Sequence, residues 1–131
     1  MSISPDRWTL KTQEAVAAAL ERARTEHGVT VSAQAYADSQ LIVSELVTNA
    51  FKYAPGPSAL NLEIRGPALE VTVWDTNPAL PIARAAEPGR IGQHGLEIVF
   101  ALCDGFDVRR EPVGKRITVT MALGPLGVLA V

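Results

Sequence analysis

The chain has 131 residues, 47% hydrophobic and 20% charged, with 12 basic against 14 acidic side chains and a formal net charge of −2. That suits one soluble domain able to bury a core without disulfide or metal staples, and it leaves no general electrostatic footprint for nucleic acid or an anionic membrane. Cys103 is the only cysteine, so neither an internal disulfide nor a zinc-ligand spacing exists, and the apolar tail at 124–131 is far shorter than the ~20 residues of a membrane helix. No basic segment followed by an apolar run opens the chain, and the expectation is a cytoplasmic protein with its core at about 7–123.

Residues 6–10, DRWTL, read as a short first strand, and Thr12 and Glu14 then introduce an alanine-rich helix to about Glu26, stopped by Gly28. Ser32 is a candidate N-cap for a second helix that runs to Ala54, where Pro55-Gly56-Pro57 forbids continuation. Two apolar runs, Ala59–Ile64 and Leu69–Trp74, flank Arg65-Gly66-Pro67 and predict a β-hairpin. From Thr76 to Gln93 the sequence loses periodicity and carries three prolines and two glycines, which predicts a long loop. A third helix starts at Gly95. Two strands, Gly105–Arg110 and Arg116–Leu123, close the chain around a turn at Pro112-Val113-Gly114. The expected architecture is α+β, with about three helices on one face of a mixed, mostly antiparallel sheet.

The second helix carries the strongest functional signal. At ~100° per residue, Glu45, Thr48, Asn49 and Lys52 share one narrow stripe, while Ile42, Val43, Leu46, Val47, Ala50 and Phe51 fill most of the remaining circumference. Burying a carboxylate beside an amide is costly unless they are paired or hold a ligand, so the seam should face a cleft. Glu45 and Asn49, one turn apart, can present a proton acceptor and a hard oxygen ligand to the same small volume. Taken alone, E-x-x-x-N also describes capping or solvated residues. Asp75, at a strand end, is suited either to accept from an exocyclic amine or to cap the following turn. Gly92-Gln93-His94-Gly95 precedes a helix whose free N–H groups can cradle phosphate, or forms a plain N-terminal turn.

Together ELVTNAFKYA, VWDTNP and GRIGQHGLEIV resemble the N-box and the two glycine boxes of the GHKL, or Bergerat-fold, nucleotide-binding domains. Within that group the chain is most similar to anti-sigma-factor serine kinases and their small relatives, over roughly residues 7–123. The resemblance implies the histidine kinase-like ATPase fold, ATP and Mg²⁺ as cofactors, Glu45 as general base and Asn49 as the Mg²⁺ ligand. It further implies that Lys52 lies near phosphate, that Asp75 reads adenine, and that Asn77, Arg90, Gly92, His94, Gly95 and Leu96 contribute to the nucleotide site. Residues 79–88 would form a short lid, with Arg84 and Arg90 as charge partners of phosphate. Three departures stand out, one of them His94, which occupies a place in the second glycine box where small or basic residues are commoner. Asp75 is followed by Thr76-Asn77-Pro78 where the family usually has glycines, and Arg116 stands where a small hydroxyl residue often supports adenine.

What the resemblance implies about function is an ATP-dependent serine kinase that phosphorylates a small anti-anti-sigma protein and regulates a sigma factor by partner switching. The alternative is a nucleotide-sensing regulator that binds ATP or ADP and a protein partner without catalysis, which the altered glycine box motivates. A domain that has lost nucleotide binding is disfavoured by the intact Glu45, Asn49 and Asp75. A homodimer built on the first strand and helix is also implied, with Trp8 either an interface anchor or an ordinary core residue.

Overall fold

The computed structural model describes residues 5–53, 56–78 and 93–124. Helix α1 (Pro5–Glu26) and helix α2 (Ala33–Tyr53) precede a hairpin of β1 (Ala59–Arg65) and β2 (Ala68–Asp75). Helix α3 (Gln93–Leu102) then leads into β3 (Gly105–Arg110) and β4 (Lys115–Ala122). The strands form one sheet in the order β1-β2-β4-β3, every neighbouring pair antiparallel.

Two expectations give way. Residues 6–10 are the opening of α1, not a strand, and without that strand the sheet among the described residues is antiparallel throughout rather than mixed. Pro5 occupies the first helical position, where its fixed φ suits a helix and its missing N–H costs nothing. Nothing between Leu10 and Thr12 breaks the chain, so propagation from the alanine-rich segment is cheaper than nucleating a separate element. Trp8 thus lies in α1, and its side chain falls outside the described residues.

One face of each helix makes the core. Thr12, Val16, Ala19, Leu20 and Ala23 of α1 are buried at helical spacing, as are Ile42, Val43, Leu46 and Ala50 of α2. They meet Leu69, Val71 and Val73 of β2 and Ile117, Val119 and Met121 of β4, the alternate residues that a pleated strand turns to one side. Gly28 leaves α1 with φ of 65°, and the Val29 N–H closes onto Ala23 O at 2.9 Å. The Ser32 hydroxyl accepts from the Ala35 N–H at 3.0 Å, confirming the predicted cap.

Hydrogen bonds fix which end of each element lies where. Ser32 N–H donates to Leu123 O, and Leu123 N–H donates to Pro67 O, so α2 begins where β4 ends and β2 begins. At its other end, just past α2, Gly56 N–H donates to Thr76 Oγ1 at 3.2 Å. Helix α2 and strand β2 therefore run the same way and finish together. Helix α3 ends beside Thr120, where Asp104 N–H donates to Thr120 O at 2.8 Å, so its N-terminus points back toward the end shared by Asp75 and Lys115.

Candidate functional site

Toward that shared end lie several of the residues singled out by their chemistry. On α2, Glu45 is half-buried, Asn49 is 7% exposed and Lys52 is exposed in the last turn. Among the described residues, no hydrogen bond or ion pair engages the side chains of Glu45, Asn49 or Lys52. A nearly buried amide without a partner is costly unless something else satisfies it. The flanking apolar residues Val43, Leu46, Val47 and Ala50 are buried, which keeps the helix from rolling its polar seam away. Phe51 departs from the expected buried circumference at 37% exposure; it borders a small apolar pocket with Val47, Ala50, Leu60 and Val73. Apart from Ser58, that pocket has apolar walls and offers a phosphate nothing.

Asp75 closes β2 with 1% of its surface exposed. Its Oδ1 accepts from the Asn77 N–H at 2.9 Å, so the turn-capping reading holds. The same oxygen accepts from Lys115 Nζ at 2.9 Å, and Lys115 is fully buried. Lys115 Nζ also donates to Asn77 O at 2.9 Å. Oδ2 of Asp75 takes part in neither bond to that carboxylate. The pair is held from outside as well: Trp74 Nε1 donates to Val113 O at 2.9 Å, and Gly114 packs directly on the Asp75 carbonyl. Glu111 N–H donates to Gly114 O at 3.0 Å and closes the β3–β4 turn that delivers Lys115.

Lys115 was not legible as a site residue. The sequence pointed to Arg116 in the position supporting the base, and the register corrects this: Arg116 lies opposite Trp74 on the far face, exposed, and binds Glu111 at 3.2 Å. Opposite Asp75 stands Lys115. The sequence marks it only by its place directly after the turn glycine Gly114, at the start of an alternating apolar run.

The remaining expected residues divide by place. Asn77 is half-buried, and its backbone joins Asp75 and Lys115. His94 and Gly95 lie in the first turn of α3, although the His94 side chain is outside the described residues. Leu96 is 3% exposed, so it is a buried apolar residue of that turn. Arg84, Arg90 and Gly92 lie outside the described residues, as does the lid expected at 79–88. No cluster of three or more His, Cys, Asp or Glu side chains that would hold a metal by protein ligands alone occurs among the described residues. No described helix is long and apolar enough to cross a membrane.

Comparison with known proteins agrees with this geometry. Residues 9–121 match the family model described as a histidine kinase-like ATPase domain. A 64-residue stretch is 47% identical to sensor histidine kinase Hik2 of Thermosynechococcus vestitus, covering 47% of this chain and 16% of that protein, so the chain matches only about a sixth of this curated relative. The fold is similar to the catalytic domain of histidine kinase ThkA, with a TM-score of 0.56 at 14% identity over 86% of this chain and 90% of that one. It is similar again to the blue-light activated histidine kinase of Erythrobacter litoralis EL346, with a TM-score of 0.53 at 24% identity over 71% of this chain and 32% of that one. At such identities the two structures speak for fold alone. With the family model spanning most of the chain, and α2, the end of β2 and the start of α3 converging at one end, the chain belongs to the histidine kinase-like ATPase domain family.

Proposed function

We propose that the chain binds Mg-ATP at this end of the sheet and transfers the terminal phosphoryl group to a serine of a small partner protein. The observation that carries the reading is the seam itself: a carboxylate and an amide one turn apart on α2, without partners among the described residues, at the end where Asp75 is buried. The residues present fit the cofactor. Asn49 would supply a neutral oxygen to Mg²⁺, which favours few protein ligands and keeps water and phosphate oxygens for the rest. Asp75 would accept from the adenine amine, and the first turn of α3, Gln93 to Leu96, has backbone N–H groups that a helix leaves unpaired for phosphate. Lys52 would offset phosphate charge from the last turn of α2. When bound, Mg-ATP supplies the activated phosphoryl group.

Glu45 then has one task. Half-buried one turn before Asn49, its carboxylate would take the proton of the attacking hydroxyl and hold it. The similarity to anti-sigma-factor kinases supports an anti-anti-sigma protein as acceptor, a sigma factor as the regulated partner, a homodimer as the working form and the cytoplasm as its place. The similar proteins named above are histidine kinases, so phosphohistidine is the rival product. Incubation with radiolabelled Mg-ATP and candidate partners distinguishes the two, because phosphoserine survives acid and phosphohistidine does not. Acid-stable label that vanishes in Glu45→Ala is expected. Label that survives in Glu45→Ala removes Glu45 from its role, and calorimetry showing no Mg-ATP binding overturns the whole reading.

A second reading, nucleotide sensing without catalysis, draws on the glycine-free sequence after Asp75, where the Asn77 backbone is tied to both Asp75 and Lys115. Mg-dependent binding that is lost in Asn49→Ala, with no transfer to any partner, would favour it.

A further inference from the structure

Lys115 is charged, carries no exposed surface, and meets two acceptors, Asp75 Oδ1 and Asn77 O, each at 2.9 Å. An ammonium so enclosed is tolerated only beside an anion, and an ionised carboxylate is an acceptor on both oxygens. Here one of those oxygens is already filled: Oδ1 receives the Lys115 ammonium and the Asn77 N–H together. Only Oδ2 remains to meet a ligand.

Purines differ in what they ask of such a group. Adenine presents a single amine at position 6. Guanine presents an acceptor there and two adjacent donors, N1–H and the 2-amine, which are matched best by a carboxylate using both oxygens. We propose that Lys115 is a positioning residue that confines Asp75 to one accepting oxygen and thereby sets the choice of adenine over guanine nucleotides. This rests on the nucleotide-binding reading above and concerns a residue that need not touch the nucleotide. The surroundings are built to keep the pair in register: the Gly114 backbone lies on the Asp75 carbonyl, and Trp74 holds Val113, two residues before Lys115.

Calorimetric titration with ADP, GDP and IDP in the presence of Mg²⁺ tests it, since IDP has the N1–H of guanine without the 2-amine. In the unaltered protein ADP should bind tightest, and GDP should gain no more than about twofold over IDP, because the second donor finds Oδ1 filled. In Lys115→Met, GDP should gain about fivefold or more over IDP, and the preference for ADP over GDP should shrink. Circular dichroism confirms that the variant is folded. If Lys115→Met does not fold, the unaltered protein still decides: GDP binding well above IDP, or GDP tighter than ADP, overturns the proposal. An unchanged ADP to GDP ratio in a folded Lys115→Met also overturns it while leaving nucleotide binding intact, whereas absence of ADP binding to the unaltered protein sinks the reading beneath it.

Discussion

Gly114 lies so close to the backbone carbonyl of Asp75 that a β-carbon on it would overlap the oxygen and crowd the Cα of Thr76. Its φ of 78° adds a backbone conformation that side chains disfavour. Gly114→Ala should therefore cost about 3 kcal/mol in denaturant unfolding, through strain and displaced backbone together. Gly66 is the control. It has φ of 57° but nothing within 4 Å of an added β-carbon, so Gly66→Ala should cost only about 1 kcal/mol. Equal losses at the two positions would show that contact with Asp75 contributes nothing.

Glu45 and Asn49 share a seam but should fail differently. Glu45→Gln keeps size and hydrogen-bonding capacity while removing the base, so phosphoryl transfer should fall on the order of a thousandfold with nucleotide affinity within about twofold. Asn49→Ala should weaken Mg-dependent nucleotide binding by about tenfold or more, and added Mg²⁺ should restore little. Single-turnover kinetics and calorimetry separate the two effects. A Glu45→Gln protein that transfers at the unaltered rate would contradict the assignment.

Thr12 is 2% exposed, and its hydroxyl has no hydrogen-bond partner among the described residues. Valine has the same shape without the orphaned oxygen, and its helix propensity is similar. Thr12→Val should raise stability by about 1 kcal/mol in equilibrium unfolding. Destabilisation would mean that the hydroxyl is satisfied in solution.

Burial pushes the Cys103 thiol above its ordinary value, and the neighbouring Asp104 charge adds to the shift. The folded state thus holds the proton more tightly than the unfolded chain. Its contribution to stability is whole below the unfolded thiol value and is lost as pH rises through the folded one. Iodoacetamide should label Cys103 in the native protein more slowly than in the urea-unfolded chain at pH 8, because less thiolate is present. Native labelling at the unfolded rate would refute this.

Helix α2 was readable because its signal is local. Its stripe of Glu45, Asn49 and Lys52 repeats within a few turns, its cap is Ser32, and its buried face follows the 3.6-residue period. The hairpin around Gly66 and the last two strands were equally local. DRWTL misled because an aromatic, a β-branched and an aliphatic residue in succession suit a strand, while Pro5 and the alanines beyond settle the matter as helix. Lys115 stayed hidden for a different reason. Its partner lies 40 residues away, and a register one residue off exchanges it for Arg116, which sits on the opposite face. The residues that carry charge into the core are set by strand pairing, which no window of sequence displays.

The β1–β2 turn, held by Pro67 O accepting from Leu123 N–H, lies at the opposite end of β2 from Asp75. Seven residue steps of strand put it roughly 25 Å away. A fluorophore or surface tether attached at Gly66 would thus report on the molecule from the end away from the proposed nucleotide site. Immobilised by that turn, the protein would present the end that carries Asp75 and Lys115 outward.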